Sequence, residues 1–163
     1  MNQRGFTLLE ILIAVVVLSV GLLGLAALQN TGTRVNHSAQ LRTMATQLAH
    51  DMFDRLRANQ AGVKGGWYHL PTPADNGCYA GEACTPAQLA AEDVLQWRQA
   101  LADALPDGEG VVCLDSTPDD GSGPGAADCD GAGSLYVVKI WWSDEFDPDG
   151  EPVTRRFVTP GRP

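Results

Sequence analysis

Three sets of residues in this chain have types and spacings that could do chemistry. Glu10 is a lone carboxylate at the head of an apolar run, and the 18 residues from Ile11 to Leu28 that follow it carry no charge. Cys78, Cys84, Cys113 and Cys129 form an even set of four, the arithmetic of two disulfides. Asp115, Asp119, Asp120, Asp128 and Asp130 crowd one glycine-rich stretch, and Asp144, Glu145, Asp147, Asp149 and Glu151 crowd another. Carboxylates in such density could hold Ca²⁺. The EF-hand spacing is absent, however, and solvated, self-repelling loops are the simpler reading. Zinc is disfavoured because no Cys-x-x-Cys pair is present and the three His stand apart at 37, 50 and 69. No metal and no cofactor is therefore expected. Nor does the chain contain a nucleophile elbow, a His-Glu-x-x-His helix or a phosphate-binding glycine loop, and no catalysis is expected.

The charge balance narrows the partners. Of the 163 residues, 1–64 carry 3 acids and 6 bases, whereas 65–163 carry 17 acids and 5 bases. Gripping a phosphate backbone requires clustered Lys and Arg, so nucleic acid is excluded as a main ligand.

The apolar run must be placed first. Phe6 to Leu28 is 23 residues, about 34 Å as a helix, which matches a hydrocarbon core of about 30 Å. Arg4 on its N-terminal flank leaves the N-terminus cytoplasmic and sends the rest across. A secretory signal peptide fits poorly, because its apolar core is shorter and ends at a small-residue cleavage site. An ordinary signal anchor leaves Glu10 unexplained: a charge at a helix centre costs about 2.5–3.5 kcal/mol, which makes an intramembrane acid a functional residue by default.

Gly5-Phe6-Thr7-Leu8-Leu9-Glu10, behind the short basic leader Met1–Arg4 and ahead of the apolar helix, resembles the class III signal of type IV pilins and type II secretion pseudopilins. The resemblance implies that a prepilin peptidase cuts after Gly5 and N-methylates Phe6, so that 1–5 is a cytoplasmic leader and the helix is retained. It implies that Glu10, one turn from the new amino terminus, neutralises the amino terminus of a neighbouring subunit and sets axial register. An unpartnered carboxylate there would be a desolvated charge. Implied partners are the inner membrane, the peptidase, other minor pilins, the major pilin and a tip adhesin. The implied location is the inner membrane, single-pass with the head in the periplasm, and then the extracellular pilus.

The elements beyond residue 28 follow from periodicity. Leu41, Ala45, Leu48, Met52 and Leu56 form a stripe at helical spacing, so the helix is expected to continue from 6–28 through an amphipathic half, 29–60, roughly 80 Å in all. Asp51 with Arg55 and Asp54 with Arg57 are spaced to pair on its wetter face. Gly62 to Gly66 break the pattern, and a loop is expected to Pro73. The head, 61–163, then offers Thr85 as N-cap, Pro86 at the first helical position and Gln88 as capping-box partner for a short helix whose Trp97 belongs to the core. Strands are expected at Val111–Asp115, Leu135–Trp142 and Val153–Thr159, the last two as a hairpin through a Pro-Asp-Gly turn. The fold class is α+β and pilin-like: a long N-terminal helix on a small antiparallel sheet.

On the exported side the cysteines should be oxidised, with three possible connectivities. Cys78 with Cys84 and Cys113 with Cys129 is the favoured pairing, each closing a short loop. Within the family, Ala27 stands where major pilins usually have Pro, and no Cys follows 129, which favours a minor pilin over a major subunit. A type II secretion minor pseudopilin and a tip-displayed binding module stay open.

Overall fold

The computed structural model describes residues 7–147 and 149–163. Helix α1 runs Leu8–Ala58, α2 Gln60–Lys64 and α3 Pro86–Ala104, with a single 3₁₀ turn at Cys78–Ala80. Strands β1 (Glu109–Leu114), β2 (Tyr136–Phe146) and β3 (Pro152–Gly161) form one antiparallel sheet in the order β1-β2-β3. The chain divides into two compact units, Met1–Ala39 and Gln40–Pro163.

In the first unit every described residue from Thr7 to His37 is exposed, including Leu8, Ile11, Val15, Leu18, Leu22, Leu25 and Leu28. This is one helix long and apolar enough to cross a membrane. Its few hydroxyls bond back to the helix, Ser19 to the carbonyl of Val15 at 2.7 Å and Thr31 to that of Ala27 at 3.2 Å. They therefore add no unmet polar group to the apolar surface.

In the second unit the C-terminal part of α1 buries Leu41, Ala45, Ala49, Met52, Phe53 and Leu56. The stripe is wider than the spacing of 3 and 4 alone predicts: Ala49 and Phe53 join it, and Leu48 is only half-buried. Both expected ion pairs form, Arg55 to Asp51 at 2.9 Å and Arg57 to Asp54 at 2.8 Å. The expected loop after the helix needs correction, because Gln60–Lys64 coil into a further turn. The break lies at Asn59, whose Oδ1 accepts from the Gly62 N–H at 3.0 Å and restarts the helix as an N-cap.

Helix α3 starts as its sequence dictates. The Thr85 hydroxyl accepts from the Gln88 N–H at 3.3 Å, and the Gln88 side chain accepts from the Thr85 N–H at 2.9 Å, a complete capping box with Pro86 following. Ala90, Val94, Trp97 and Leu101 are buried, and the Trp97 indole N–H donates to the Leu48 carbonyl at 2.9 Å, tying α3 to α1.

The central strand β2 is covered on both faces. Tyr136, Val138, Ile140 and Trp142 join the core formed with α1 and α3. Trp141 packs with Val111, Cys113 and Ala127, beneath the acidic loop that follows β1. Gly110 of β1 lies directly against Trp97 and Leu101, where any Cβ would overlap both side chains. The strands are longer than expected at most ends, since β2 and β3 keep pairing past a bulge between Ser143 and Glu145 as far as Phe146 and Pro152. In the turn beyond, Asp147 Oδ1 accepts from the N–H groups of Asp149 and Glu151, each at 2.9 Å. Pro148 of the expected turn signal lies outside the described residues.

Candidate functional site

The N-terminal signal residues Gly5 and Phe6, expected at a cleavage and methylation point, lie outside the described residues. Glu10 is described. It stands in the first turn of α1, exposed, where the Glu10 N–H meets Thr7 at its carbonyl (3.1 Å) and hydroxyl (3.4 Å). An acid in a first turn faces the positive end of the helix dipole. On the same face follow Ile11, Ala14, Val15 and Leu18, which with Glu10 line a shallow apolar concavity. The site is thus a carboxylate on an exposed helix, surrounded by side chains that need lipid or neighbouring helices to cover them.

The head carries two disulfide-closed loops, Cys78–Cys84 and Cys113–Cys129, each anchored by a buried acid. In the first, the Glu92 carboxylate accepts the N–H groups of Cys78 (2.8 Å), Asn76 (3.0 Å) and Tyr79 (3.3 Å). Burial works to raise its pKa, but these three donors prevail and hold it below the usual carboxylate range. The neighbouring Asp93 accepts the hydroxyls of both Tyr68 and Tyr79, with Arg55 Nη1 at 3.5 Å. Burial and those bonds push the Tyr79 hydroxyl up to about 12 and that of Tyr68 well above the usual tyrosine value. Asn59 completes this network by donating to Tyr68 at 3.2 Å and to the Pro86 carbonyl at 2.8 Å.

In the second loop the centre is Lys139, fully buried. Its ammonium contacts Asp115 Oδ2, Asp120 Oδ1 and the Ala127 carbonyl, each at 2.7 Å. Burial pulls the Lys139 pKa down, and the two carboxylates more than offset this, holding it above the ordinary lysine value. Arg156 clamps the same loop through the carbonyls of Asp120 and Gly121, both at 2.7 Å, and through Asp119. Asp115 and Asp120 are therefore not the solvated, self-repelling acids expected of them. The cation among them is the chain's own ammonium. Among the described residues, the two groupings with metal-ligand proximity, Cys78-Cys84-Glu92 and Cys113-Asp115-Cys129, spend their sulfurs on the disulfides.

The cysteine pairing read from the sequence is the one found. Glu92, Asp93 and Asn59 were not anticipated. Lys139 had one visible signal, as a lone charge within the apolar run Leu135 to Trp142.

A long, exposed apolar helix followed by a small three-stranded antiparallel sheet defines a pilin-like α+β protein. Residues 1–26 match the prokaryotic N-terminal methylation motif, which supports a type IV pilin or pseudopilin and with it a structural role. No curated protein and no solved structure matches the chain.

Proposed function

We propose that the chain is a minor pilin of a type IV pilus, most like the minor pilin PilV, which helps initiate and assemble the filament and so supports twitching motility or adhesion. The observation that carries the reading is the methylation motif at residues 1–26, with Glu10 in the first turn of α1 at the head of an exposed apolar segment, Ile11 to Leu28, that carries no charge. Prepilin peptidase cuts between Gly5 and Phe6 and methylates the new amino group of Phe6. The helix stays in the inner membrane, N-terminus inward and head in the periplasm, until extraction into the filament. There the Glu10 carboxylate meets the amino terminus of a neighbouring pilin, an ion pair that in a dry bundle favours one axial register. The likeness to PilV rests on the apolar run through Ala27, on Trp97, Leu101 and Leu105 ahead of Pro106-Asp107-Gly108, and on the strand Tyr136–Trp142.

Glu10→Leu tests the role of the carboxylate. The variant should insert into the membrane at wild-type level and be depleted at least about tenfold from sheared filaments, as removal of a buried pair's partner predicts. Wild-type abundance in the filaments would overturn it. Deletion of the gene separates the systems: loss of surface pili supports the pilus reading, whereas intact pili with lost protein secretion would assign the chain to a pseudopilus.

A further inference from the structure

Most basic side chains of the head are answered by an acid. Arg55, Arg57, Lys139, Arg155 and Arg156 each stand within ion-pair distance of a carboxylate. Among the described residues Arg98 does not. Arg42, Lys64 and Arg162 also lack such a partner there, but these three are exposed to water, whereas Arg98 is half-buried. The Arg98 Nε donates to the Gly110 carbonyl at 3.0 Å, which pins the guanidinium to the start of β1. Its terminal nitrogens, Nη1 and Nη2, have no hydrogen-bond partner among the described residues. Burial pulls the Arg98 pKa below the ordinary arginine value, and Glu109 opposes this from beyond ion-pair distance. A desolvated guanidinium with an open fork is short of an anion.

Arg98 lines a cleft of about 450 Å³ where α3, the start of β1 and the loop after β1 meet, a size within the range of small-molecule sites. Glu109 lies in the same lining, and Ala102 of α3 with Pro124 and Gly125 of the loop add an apolar surface. The loop tip is held by bonds of its own, from the Ser122 N–H to the Ala126 carbonyl and from the Ala126 N–H to the Gly123 carbonyl, both at 3.0 Å. Its base is held by the Arg156 clamp on the Asp120 and Gly121 carbonyls. The cleft is therefore built from fixed walls that carry two opposite charges, close to each other yet not joined.

We propose that this cleft binds a zwitterionic amino acid with an apolar side chain, its carboxylate on the Arg98 fork, its ammonium on Glu109 and its side chain against Ala102 and Pro124. The two wall charges select the class. A simple carboxylate would satisfy Arg98 but meet the like charge of Glu109, and a simple amine would do the reverse. A phosphate dianion would face Glu109 at still greater cost, in a head whose residues 65–163 carry 17 acids and 5 bases. A neutral apolar molecule would leave both charges without a partner in a partly dry site. An amino acid carries both charges on adjacent atoms of one carbon, and its planar carboxylate suits the two-pronged contact of a guanidinium.

The test is NMR of the full chain in uncharged detergent micelles, titrated with leucine. The Arg98 Nε–H and the Gly110 and Gly125 amide resonances should shift together and saturate with a Kd at or below about 1 mM. Isocaproate, which is leucine without the ammonium, and isoamylamine, which is leucine without the carboxylate, should each bind at least about tenfold more weakly. Glu109→Gln should weaken leucine binding by a similar factor, and Arg98→Met should abolish it. Because Glu109 is exposed, its variant tests the site even where Arg98→Met loses native tryptophan fluorescence. No saturable shift up to about 20 mM leucine would overturn the proposal, as would equal affinity for either single-charge analogue. So would unchanged leucine binding by a folded Glu109→Gln chain.

Discussion

Helix α1 presents two surfaces. From Leu8 to Leu28 large apolar side chains point in every direction and remain exposed, whereas from Leu41 to Leu56 they gather into one buried stripe with Asp51, Asp54 and Arg57 on the wetter side. The backbone is the same α-helix in both. Only the distribution of side chains differs, and it states which solvent each part requires. A striped helix is completed by its own head, while one that is apolar all round needs lipid or other helices. The proposed passage from membrane to filament would use both surfaces of this one element.

The sharpest way to break this contrast is to truncate each surface in turn. Trp97→Ala, which removes the largest side chain packed on the stripe and its bond to the Leu48 carbonyl, should cost about 3–5 kcal/mol in chemical denaturation of the head. Leu18→Ala on the exposed surface should leave that transition unchanged. Equal effects would mean that the two surfaces are not distinct.

Next in size is Lys139→Met. Removing the ammonium leaves Asp115 buried without its ion-pair partner, a loss of about 3–5 kcal/mol, and Asp115→Asn in the same chain should restore much of it. Failure of the second substitution to rescue would show that Lys139 acts by packing alone. Replacing Cys113 and Cys129 together by Ser should cost about 3 kcal/mol in the same denaturation assay, since their closed loop is about 15 residues.

The smallest effect is on pH dependence, read from urea unfolding across the pH range. Glu92 has a depressed folded pKa, so its contribution is present above the unfolded value of about 4 and is lost as pH falls through the folded one. Lys139 and Tyr79 have raised values. Their contributions are complete below about pH 10 and disappear as pH rises through the folded pKa, about 12 for Tyr79. Stability should therefore fall at both ends, and Glu92→Gln should reduce the acid-side fall, which Asp120 and Asp130 share, and leave the alkaline side unchanged.

Much of this arrangement was legible in the residues. Capping chemistry is local, so Thr85, Pro86 and Gln88 announced α3, and the alternation around Tyr136–Trp142 announced the central strand. The apolar helix and its carboxylate were visible for the same reason. What escaped depends on contacts between distant segments. Glu92 and Asp93 look like ordinary helix-surface acids until the Cys78–Cys84 loop folds against them, with partners 13 to 25 residues away. Lys139 becomes buried only when the loop that follows β1 closes over it. Asn59 restarts a helix where the neighbouring glycines suggested an end.

On the proposed function, the apolar helix is retained in a mature chain whose first residue is Phe6. This is tested most directly by intact mass and N-terminal sequencing of the chain recovered from membranes of cells with and without prepilin peptidase. The predicted result is a chain that starts at Phe6, carries one added methyl group and retains Ile11–Leu28 when the peptidase is present, and starts at Met1 when it is not. A chain cut beyond Leu28, or one indifferent to the peptidase, would contradict it.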